Sequence, residues 1–190
     1  MEKSKTNKEL PKFKYFEDPY KLNIIKRDDN IRCHCCNKLT GYNYEGVIYS
    51  VHDVSNVCPW CIANGAVGEK YDATFHDCVY DESQLFDKSS VSEVMERTPG
   101  FPTWQPFTWP IRDGDFCMYV GDIGWDEIKV LPDSEDVIRE LHEHIKESYG
   151  TTNEEEIRNI MESITNVGTH SGYLFKSVVT NKHVVIEDWD

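Results

Sequence analysis

Two pairs of closely spaced cysteines constrain this chain more than any other feature of its sequence. The first pair, Cys33 and Cys36, lies in the stretch RCHCCNK, and the second, Cys58 and Cys61, lies in CPWC. A Cys-x-x-Cys turn lets two thiolates reach one ion, and two such turns supply the four-sulfur tetrahedron that zinc prefers. The sequence therefore predicts a closed structural zinc site formed by these four cysteines.

Two residues within the first turn leave the ligand set open. His34 and Cys35 stand between Cys33 and Cys36, so a third sulfur and an imidazole compete for the same ion. Adjacent residues point in different directions, and we therefore expect Cys35 to face the core and His34 to be exposed beside the site. Iron–sulfur clusters use the same thiolates, and nothing in the sequence favours them over zinc.

The CPWC stretch also allows an enzymatic interpretation, as a redox dithiol. In that case Cys58 would lie at the start of a helix, where its thiolate is stabilised. A second cysteine pair at zinc-ribbon spacing is an unusual companion for a redox motif, so the sequence favours the metal site and predicts no catalytic residues. Stoichiometric zinc with slow thiol labelling would support the ribbon, whereas rapid alkylation of Cys58 in metal-free protein would support redox chemistry.

Length and composition are those of a globular protein with one domain. The 190 residues are 39% hydrophobic, 12% aromatic and 28% charged. No apolar run approaches the roughly 18 residues that span a bilayer, and the first residues lack the apolar stretch of a secretory signal. We expect a cytoplasmic location, and in that reducing compartment paired cysteines favour a metal over disulfides.

The hydrophobic pattern predicts an α+β fold. A small zinc-ribbon-like knuckle module is expected to be integrated with antiparallel strands and at least two amphipathic helices. Residues 1–9 are predicted to form a flexible tail, residues 10–190 a single domain, and residues 31–68 the ribbon-like element. The stretch GYNYEGVIYSV, at residues 41–51, is typical of strands and predicts the hairpin of a ribbon between the cysteine pairs.

Two helices are predicted in the C-terminal part of the chain. In the first, four residues share one face: Ile138, Leu141, Ile145 and Tyr149. In the second, Thr152 and Glu155 are expected to form a capping box ahead of an apolar stripe. Both helices should pack on a sheet that contains a strand beginning near Phe116 and the last two strands of the chain.

The charge is distributed unevenly along the chain. Residues 1–40 hold ten Lys/Arg and six Asp/Glu, a net charge of +4, whereas residues 41–190 hold ten and twenty-eight, a net charge of −18. Such an acidic body repels nucleic acid and attracts basic protein surfaces. Because interfaces concentrate energy in aromatic residues, the sequence predicts a partner-binding surface of acidic residues and tryptophans: Trp104, Trp109, Asp113, Asp115, Asp122, Trp125, Asp126 and Glu127.

Several separate stretches together resemble the CbrC family of bacterial proteins, which is named after a colicin-tolerance protein. These stretches are LPKFKYFEDP, CHCCN, CPWCIANGAVGEKYDATFHD, RTPGFPTWQ, GWDEI and the terminal YLFK…DWD, and they follow one another over nearly the whole chain. The resemblance implies a cytoplasmic bacterial protein of unproven biochemistry, associated by its name with survival against a nuclease-type bacteriocin. It implies no enzyme activity.

The resemblance extends to the individual residues of the cysteine site. The family's two Cys-x-x-Cys pairs correspond to Cys33, Cys36, Cys58 and Cys61, and its additional cysteine corresponds to Cys35. The family pattern includes a further Cys-x-x-Cys in the last strands, where this chain has Ser177 and Thr180. That departure removes a second complete metal site and leaves Cys117 without obvious partners.

Charge and resemblance together lead to the hypothesis of a non-catalytic immunity or antitoxin protein. Its acidic body would dock onto a basic toxin domain, of the nuclease type, in the cell that makes it. Two alternatives stay open: a zinc-ribbon adaptor in nucleic-acid metabolism that uses the basic first forty residues, and the thiol oxidoreductase. Only a nucleic-acid binder should hold DNA and lose it steeply as salt rises.

Overall fold

The computed structural model describes residues 9–166 and 168–189, so most of the predicted tail at residues 1–9 lies outside the described residues. Its strands are β1 (Ile25–Arg32), β2 (Leu39–Tyr44), β3 (Cys78–Val79), β4 (Phe107–Thr108), β5 (Ile111–Arg112), β6 (Asp115–Ile123), β7 (His170–Ser177) and β8 (His183–Trp189). Its α-helices are α1 (Pro59–Ala63), α2 (Ala66–Tyr71), α3 (Ser90–Arg97), α4 (Trp125–Ile128), α5 (Ser134–Tyr149) and α6 (Glu154–Glu162).

A four-stranded antiparallel sheet forms the centre, in the order β5-β6-β7-β8. Side chains alternate between the two faces of a strand. Along β7, Tyr173 and Phe175 accordingly join one buried cluster, and Leu174 packs against another. The sheet therefore separates two cores, and β8 forms one of its edges.

The first core joins the sheet to a cysteine-rich module made of the β1–β2 hairpin and helices α1 to α3. Within this module, β2 pairs with β1, which precedes the first cysteine pair. The predicted hairpin between the two cysteine pairs is therefore wrong in detail, because only β2 lies there as a strand. Further along, Tyr49 makes an isolated bridge to Thr74 instead.

Aromatic side chains from the proline-rich loop at residues 98–110 fill the centre of this core. Phe101 stacks on Tyr119 of β6, with 3.7 Å between ring centroids and 6° between ring planes. The preceding Gly100 is required here, because a Cβ at this position would overlap the carbonyl oxygen of Phe75. The loop thus packs on the domain through its aromatic residues.

The second core lies between the sheet and helices α4, α5 and α6. Its buried residues are Ile123, Ile128, Val137, Leu141, Ile145, Ile157, Met161, Ile164 and Val185. The two predicted amphipathic helices are confirmed, but the centre of the buried stripe on α5 includes Val137, while Tyr149 is 41% exposed. On α6 the cap is Asn153, which accepts hydrogen bonds from the amides of the second and third helical residues, so the predicted Thr152 cap is wrong.

These elements make an α+β fold with a zinc-ribbon-like cysteine knuckle, as the sequence predicts. None of the helices in the described residues is long and apolar enough to cross a membrane.

Candidate metal centre and neighbouring surfaces

The four predicted cysteines converge on one point between the β1–β2 hairpin and α1. Their sulfur atoms all lie within 4.8 Å of one another. The Sγ atoms of Cys33 and Cys61 are 3.9 Å apart, and those of Cys36 and Cys58 are 4.0 Å apart. At a zinc–sulfur distance of about 2.3 Å, the sulfurs of a tetrahedron are about 3.8 Å apart. All four cysteines are free of disulfides, so the cluster has the donor set and nearly the size that zinc requires.

The first pair lies in a tight turn between β1 and β2. The amide of Cys33 donates to the carbonyl of Lys38 at 2.9 Å, and the amide of Asn37 donates to the carbonyl of Cys33 at 2.8 Å. Asn37 adopts a left-handed conformation with φ of 57°, which asparagine tolerates better than most residues. This turn, which we call the cysteine turn, presents Cys33 and Cys36 to the same point.

The second pair lies at the start of a helix. Cys58 is the cap residue of α1, and Pro59 occupies the first turn, where its fixed φ favours a helix start. The amide of Cys61 donates to the carbonyl of Cys58 at 3.0 Å, which places both thiols on one side. The amide of Cys58 also donates to the sulfur of Cys33 at 3.3 Å, a contact that stabilises a thiolate ligand.

The close thiols shift one another's ionisation. Hydrogen bonds from Cys58 and Cys61 lower the pKa of Cys33. The same contacts act in the opposite direction on the donors: contact with Cys33 raises the pKa of Cys61 and raises that of Cys58 to about 12. Four such thiols ionise together only when a cation compensates their charge, so metal binding there would release protons.

Neither rival ligand joins the cluster of four. His34 is exposed, and its ring packs against the ring of Tyr71 at a centroid distance of 5.6 Å. Cys35 is half-buried, and burial raises the pKa of its thiol. The carbonyl of Cys35 accepts a hydrogen bond from Lys70 at 3.2 Å, so this residue stabilises the turn through its backbone.

A second turn of the same backbone shape joins β7 and β8. The amide of Ser177 donates to the carbonyl of Lys182 at 2.8 Å, the amide of Asn181 donates to the carbonyl of Ser177 at 3.0 Å, and Asn181 has φ of 60°. Here the hydroxyls of Ser177 and Thr180 each donate to the same oxygen of Asp113 at 2.7 Å. These bonds lower the pKa of Asp113, so a carboxylate closes this turn.

The predicted acidic contact surface is not one patch. Asp113 and Asp115 lie at the start of β6, whereas Asp122, Asp126 and Glu127 lie at its end and on α4. At about 3.3 Å per strand residue, Asp115 and Asp122 are separated by roughly 23 Å along β6. The two groups therefore lie far apart in the structure, because an extended strand separates residues that are close in sequence, and their role in partner binding stays a prediction.

All five of these carboxylates have partners within the chain, and Asp115 and Glu127 illustrate this. Asp115 accepts hydrogen bonds from Lys14 at 2.7 Å and from the hydroxyl of Tyr15 at 2.6 Å. The Glu127 carboxylate accepts from the amide of Gly124 at 2.8 Å and so caps α4. Their first role is to stabilise the fold.

The three predicted tryptophans differ in exposure. Trp109 is 1% exposed, and its indole donates to the carbonyl of Cys117 at 2.8 Å, so its ring packs in the first core and offers no surface in this structure. Trp125 is half-buried against the helical core. Trp104 is 54% exposed and is the one of the three whose ring faces solvent over most of its surface.

Negative charge is concentrated instead on α5 and α6. Residues 134–162 hold nine Asp/Glu and three Lys/Arg, a net charge of −6, and Glu154, Glu155 and Glu156 at the start of α6 are all exposed. We call the exposed faces of these two helices the acidic layer. A charge count restricted to the predicted helices would have found it.

A hydrogen-bonded chain of three side chains fastens the helical side to the sheet. His170 lies 2.7 Å from the Ser163 hydroxyl through Nδ1 and 3.1 Å from the Glu187 carboxylate through Nε2. The side chains of His170 and Glu187 are 4% and 6% exposed. The Ser163 hydroxyl also donates to the carbonyl of Ile160 at 2.8 Å, so these contacts join the end of α6 to β7 and β8.

Replacing Glu187 with glutamine should destabilise the protein by about 1–3 kcal/mol at pH 7, because a buried, charge-assisted bond to His170 is lost. Burial alone would raise the pKa of Glu187, but the hydrogen bond and charge of His170 hold it below its usual value. The contribution is therefore complete above the unfolded pKa of about 4.3 and is lost as pH falls through the lower folded pKa.

Thermal unfolding of wild type and Glu187→Gln between pH 7 and pH 3 tests this prediction. The two stabilities should converge in the acidic part of that range. Glu147→Gln, on the exposed side of α5, is the matched control and should change stability little. A difference between wild type and Glu187→Gln that stays constant down to pH 3 would contradict the pairing.

Comparison with known proteins finds relatives that match this chain along its whole length. Residues 10–189 match the model of a family described as "Uncharacterised protein family (UPF0167)". UPF0167 proteins of Mycobacterium bovis and Mycobacterium tuberculosis are each 29% identical over 190 residues, covering 100% of this chain and 98% of the relative. A UPF0167 protein of Pseudomonas aeruginosa is 38% identical over 131 residues, covering 66% of this chain and 70% of the relative. No solved structure matches the chain significantly.

Proposed function

Because the chain belongs to the uncharacterised UPF0167 family, its relatives supply no activity, and we propose a function from its own residues. It is a non-catalytic cytoplasmic protein that holds a structural zinc ion and binds a basic protein partner. The partner is a bacterial toxin domain of the nuclease type, which the protein neutralises.

The zinc assignment is carried by one observation, the convergence of four cysteine sulfurs within 4.8 Å. Cys33 and Cys36 would hold the ion from the cysteine turn, and Cys58 and Cys61 from the start of α1. A bound zinc would link these two segments and so supply folding energy. Four protein ligands leave no open position for a substrate, which supports a structural role.

The partner assignment is supported by charge and by the resemblance to the CbrC family. The acidic layer carries a net charge of −6 over 29 residues. Nucleases carry Lys/Arg surfaces that hold phosphates, and an acidic surface associates with them rapidly and in a salt-sensitive manner. The resemblance adds the association with survival against a nuclease-type bacteriocin.

Binding to purified toxin nuclease domains, measured over a range of salt concentrations, tests the proposal. We expect association that weakens as salt rises and inhibition of DNA cleavage by the bound nuclease. Lysozyme serves as a basic protein without nuclease activity, and duplex DNA alone serves as the third arm. Binding to DNA and to no nuclease would instead support the adaptor that uses the basic first forty residues.

Neutralising the acidic layer should slow this association. The variant Glu147→Gln, Glu155→Gln, Glu162→Gln removes three exposed charges from α5 and α6, and we expect the association rate constant to fall to about one-tenth at low salt. Stopped-flow mixing with the nuclease domain measures it. The control Asp53→Asn, Glu69→Gln, Asp77→Asn makes the same charge change on the cysteine-rich module, and equal slowing by both variants would argue against the acidic layer.

The position of Cys58 within the cluster of four sulfurs argues against the thiol oxidoreductase. A redox Cys-x-x-Cys motif needs a partly exposed first cysteine, whereas the sulfur of Cys58 lies 4.0 Å from that of Cys36 inside the cluster. Cys58 is also only 1% exposed. Rapid alkylation of Cys58 in protein that is isolated without metal would instead favour the redox alternative.

A further inference from the structure

A groove of about 250 Å³ runs along the outer edge of β8. The strand forms one side through Glu187 and Trp189, the loop that leads into β4 forms another through Gln105 and Phe107, and His144 of α5 closes the end. Small-molecule sites usually have about 300–1,000 Å³. This groove is smaller, so its size suits single side chains of a protein segment better than a free metabolite.

The backbone along this groove has unused hydrogen-bonding groups. Ser177 and Lys182 form a hydrogen-bonded pair at the start of the β7–β8 ladder, so in an antiparallel ladder the alternate residues of β8, Val185 and Glu187, direct their N–H and C=O groups away from β7. His183 has the same orientation, and its amide donates to Asp133 at 2.8 Å. Within residues 9–166 and 168–189, the outward groups of Val185 and Glu187 have no hydrogen-bond partner.

Exposed aromatic rings surround these groups. Trp104, Tyr149 and Trp189 are 54%, 41% and 37% exposed. The rings of Tyr149 and Trp189 lie 6.4 Å apart, and the amide of Trp104 donates to the Asp188 carboxylate next to Trp189 at 2.8 Å. Tryptophan and tyrosine dominate the energetics of protein interfaces because they bury a large, rigid area. These rings therefore make the groove a surface suited to protein contact.

The charge of the groove selects a basic occupant. Among its described lining residues, two are carboxylates, Glu187 and Asp188, and none is lysine or arginine. Both carboxylates are buried and hydrogen-bonded within the chain, Glu187 to His170 at 3.1 Å, and Asp188 to the amide of Trp104 and the hydroxyl of Tyr173. Because His144 belongs to α5, the groove also adjoins the acidic layer. A lysine or arginine side chain would therefore be attracted mainly to the exposed carboxylates of the neighbouring acidic layer and to the ring faces beside the groove.

We propose that the edge of β8 binds an extended, Lys/Arg-bearing segment of the partner protein as an added strand. Main-chain hydrogen bonds to Val185 and Glu187 would supply affinity, and the groove would take one basic side chain of the segment. This inference rests on the proposed function, since it names where and how the basic partner docks.

A short peptide tests the docking mode without the partner. The probe is an eight-residue peptide of alternating lysine and valine, with capped ends, titrated into the full chain while tryptophan fluorescence is followed. The peptide should bind, and proton exchange at the Val185 and Glu187 amides should slow. A peptide of alternating glutamate and valine should not bind, and one of alternating lysine and proline, which has the same charge but lacks half of the amide donors, should bind at least 10-fold more weakly.

A charge added at the groove distinguishes this site from general attraction. Thr108→Lys places a positive charge on an exposed lining residue and should weaken peptide binding by about 5- to 10-fold. Val51→Lys makes the same charge change at a position that is 91% exposed on the cysteine-rich module, and it should leave binding nearly unchanged. Absence of peptide binding, equal weakening by both variants, or protection of amides elsewhere would overturn the proposal. Self-association that protects the same two amides would also overturn it, in favour of a second copy of this chain.

The outcome for the groove is separable from that for the proposed function. If the nuclease domain binds Thr108→Lys as tightly as wild type, the groove is not the docking site, but the proposed function is still supported. If the peptide binds as expected and no toxin nuclease binds, the groove is supported as a binding site for basic segments, but the proposed function is wrong.

Discussion

Replacing Cys58 with serine is expected to abolish stoichiometric zinc binding and to lower the melting temperature by about 10 °C or more. The three remaining sulfurs cannot complete the tetrahedron, and the free energy of zinc binding is largely folding free energy in sites of this kind. For a chain of this size, each kcal/mol of lost stability lowers the melting temperature by roughly 2–4 °C. Zinc content by atomic absorption and unfolding by calorimetry measure the two effects.

The same substitution at Cys35 is the matched control. Cys35 lies in the same turn but outside the cluster of four sulfurs. Cys35→Ser should therefore keep one zinc per chain and most of the stability. Loss of zinc from Cys35→Ser, or full zinc and stability in Cys58→Ser, would show that the ligand set differs from Cys33, Cys36, Cys58 and Cys61.

Truncating Phe101 to alanine is expected to destabilise the protein by about 3–5 kcal/mol, the usual cost of removing a buried aromatic ring. Phe101 is 9% exposed, stacks on Tyr119, and has Phe175 at a ring-centroid distance of 6.0 Å. The cavity would open at the point where the proline-rich loop contacts the central sheet. Urea unfolding followed by fluorescence gives the free energy directly.

Phe86→Ala makes the identical chemical change at a position that is 89% exposed. It should alter stability by less than about 0.5 kcal/mol. Similar losses in the two variants would mean that Phe101 does not organise the core. A loss in Phe101→Ala that is accompanied by loss of zinc would show that the first core also determines the geometry of the metal centre.

The cysteine site was predictable because its signal is local. The spacing within each pair brings two sulfurs to one side of a turn, whatever the rest of the chain does, and the structure places the four sulfurs within 4.8 Å. The helices α5 and α6 were predictable for a similar reason, since their apolar residues recur at helical spacing and face the second core. Both features are determined by residues that are close to one another in the sequence.

Features that depend on distant partners were not predictable. The strand β1, with the sequence IKRDDNIR, is mostly polar and mostly exposed, and it is held by pairing with β2 rather than by burial. Trp109 resembles an exposed loop residue in the sequence, but Phe116 and Phe175 of the sheet enclose it. The separation of Asp115 from Asp122 was likewise not predictable, because it depends on the extended course of β6. The groove along β8 exists because β8 lies at the edge of the sheet. No single segment of the sequence determines the order of the strands.

The cysteine turn and the β7–β8 turn have the same backbone shape, but different contacts hold them closed. With the proposed zinc, the cysteine turn would be held by an ion from outside the chain, whereas the β7–β8 turn is held by Asp113 of the chain itself. A chelator should therefore loosen the protein in two stages, first around Cys33 and Cys36 and only later in the sheet. Loss of the metal would then loosen the cysteine-rich module, while the acidic layer and the edge of β8 would keep their form.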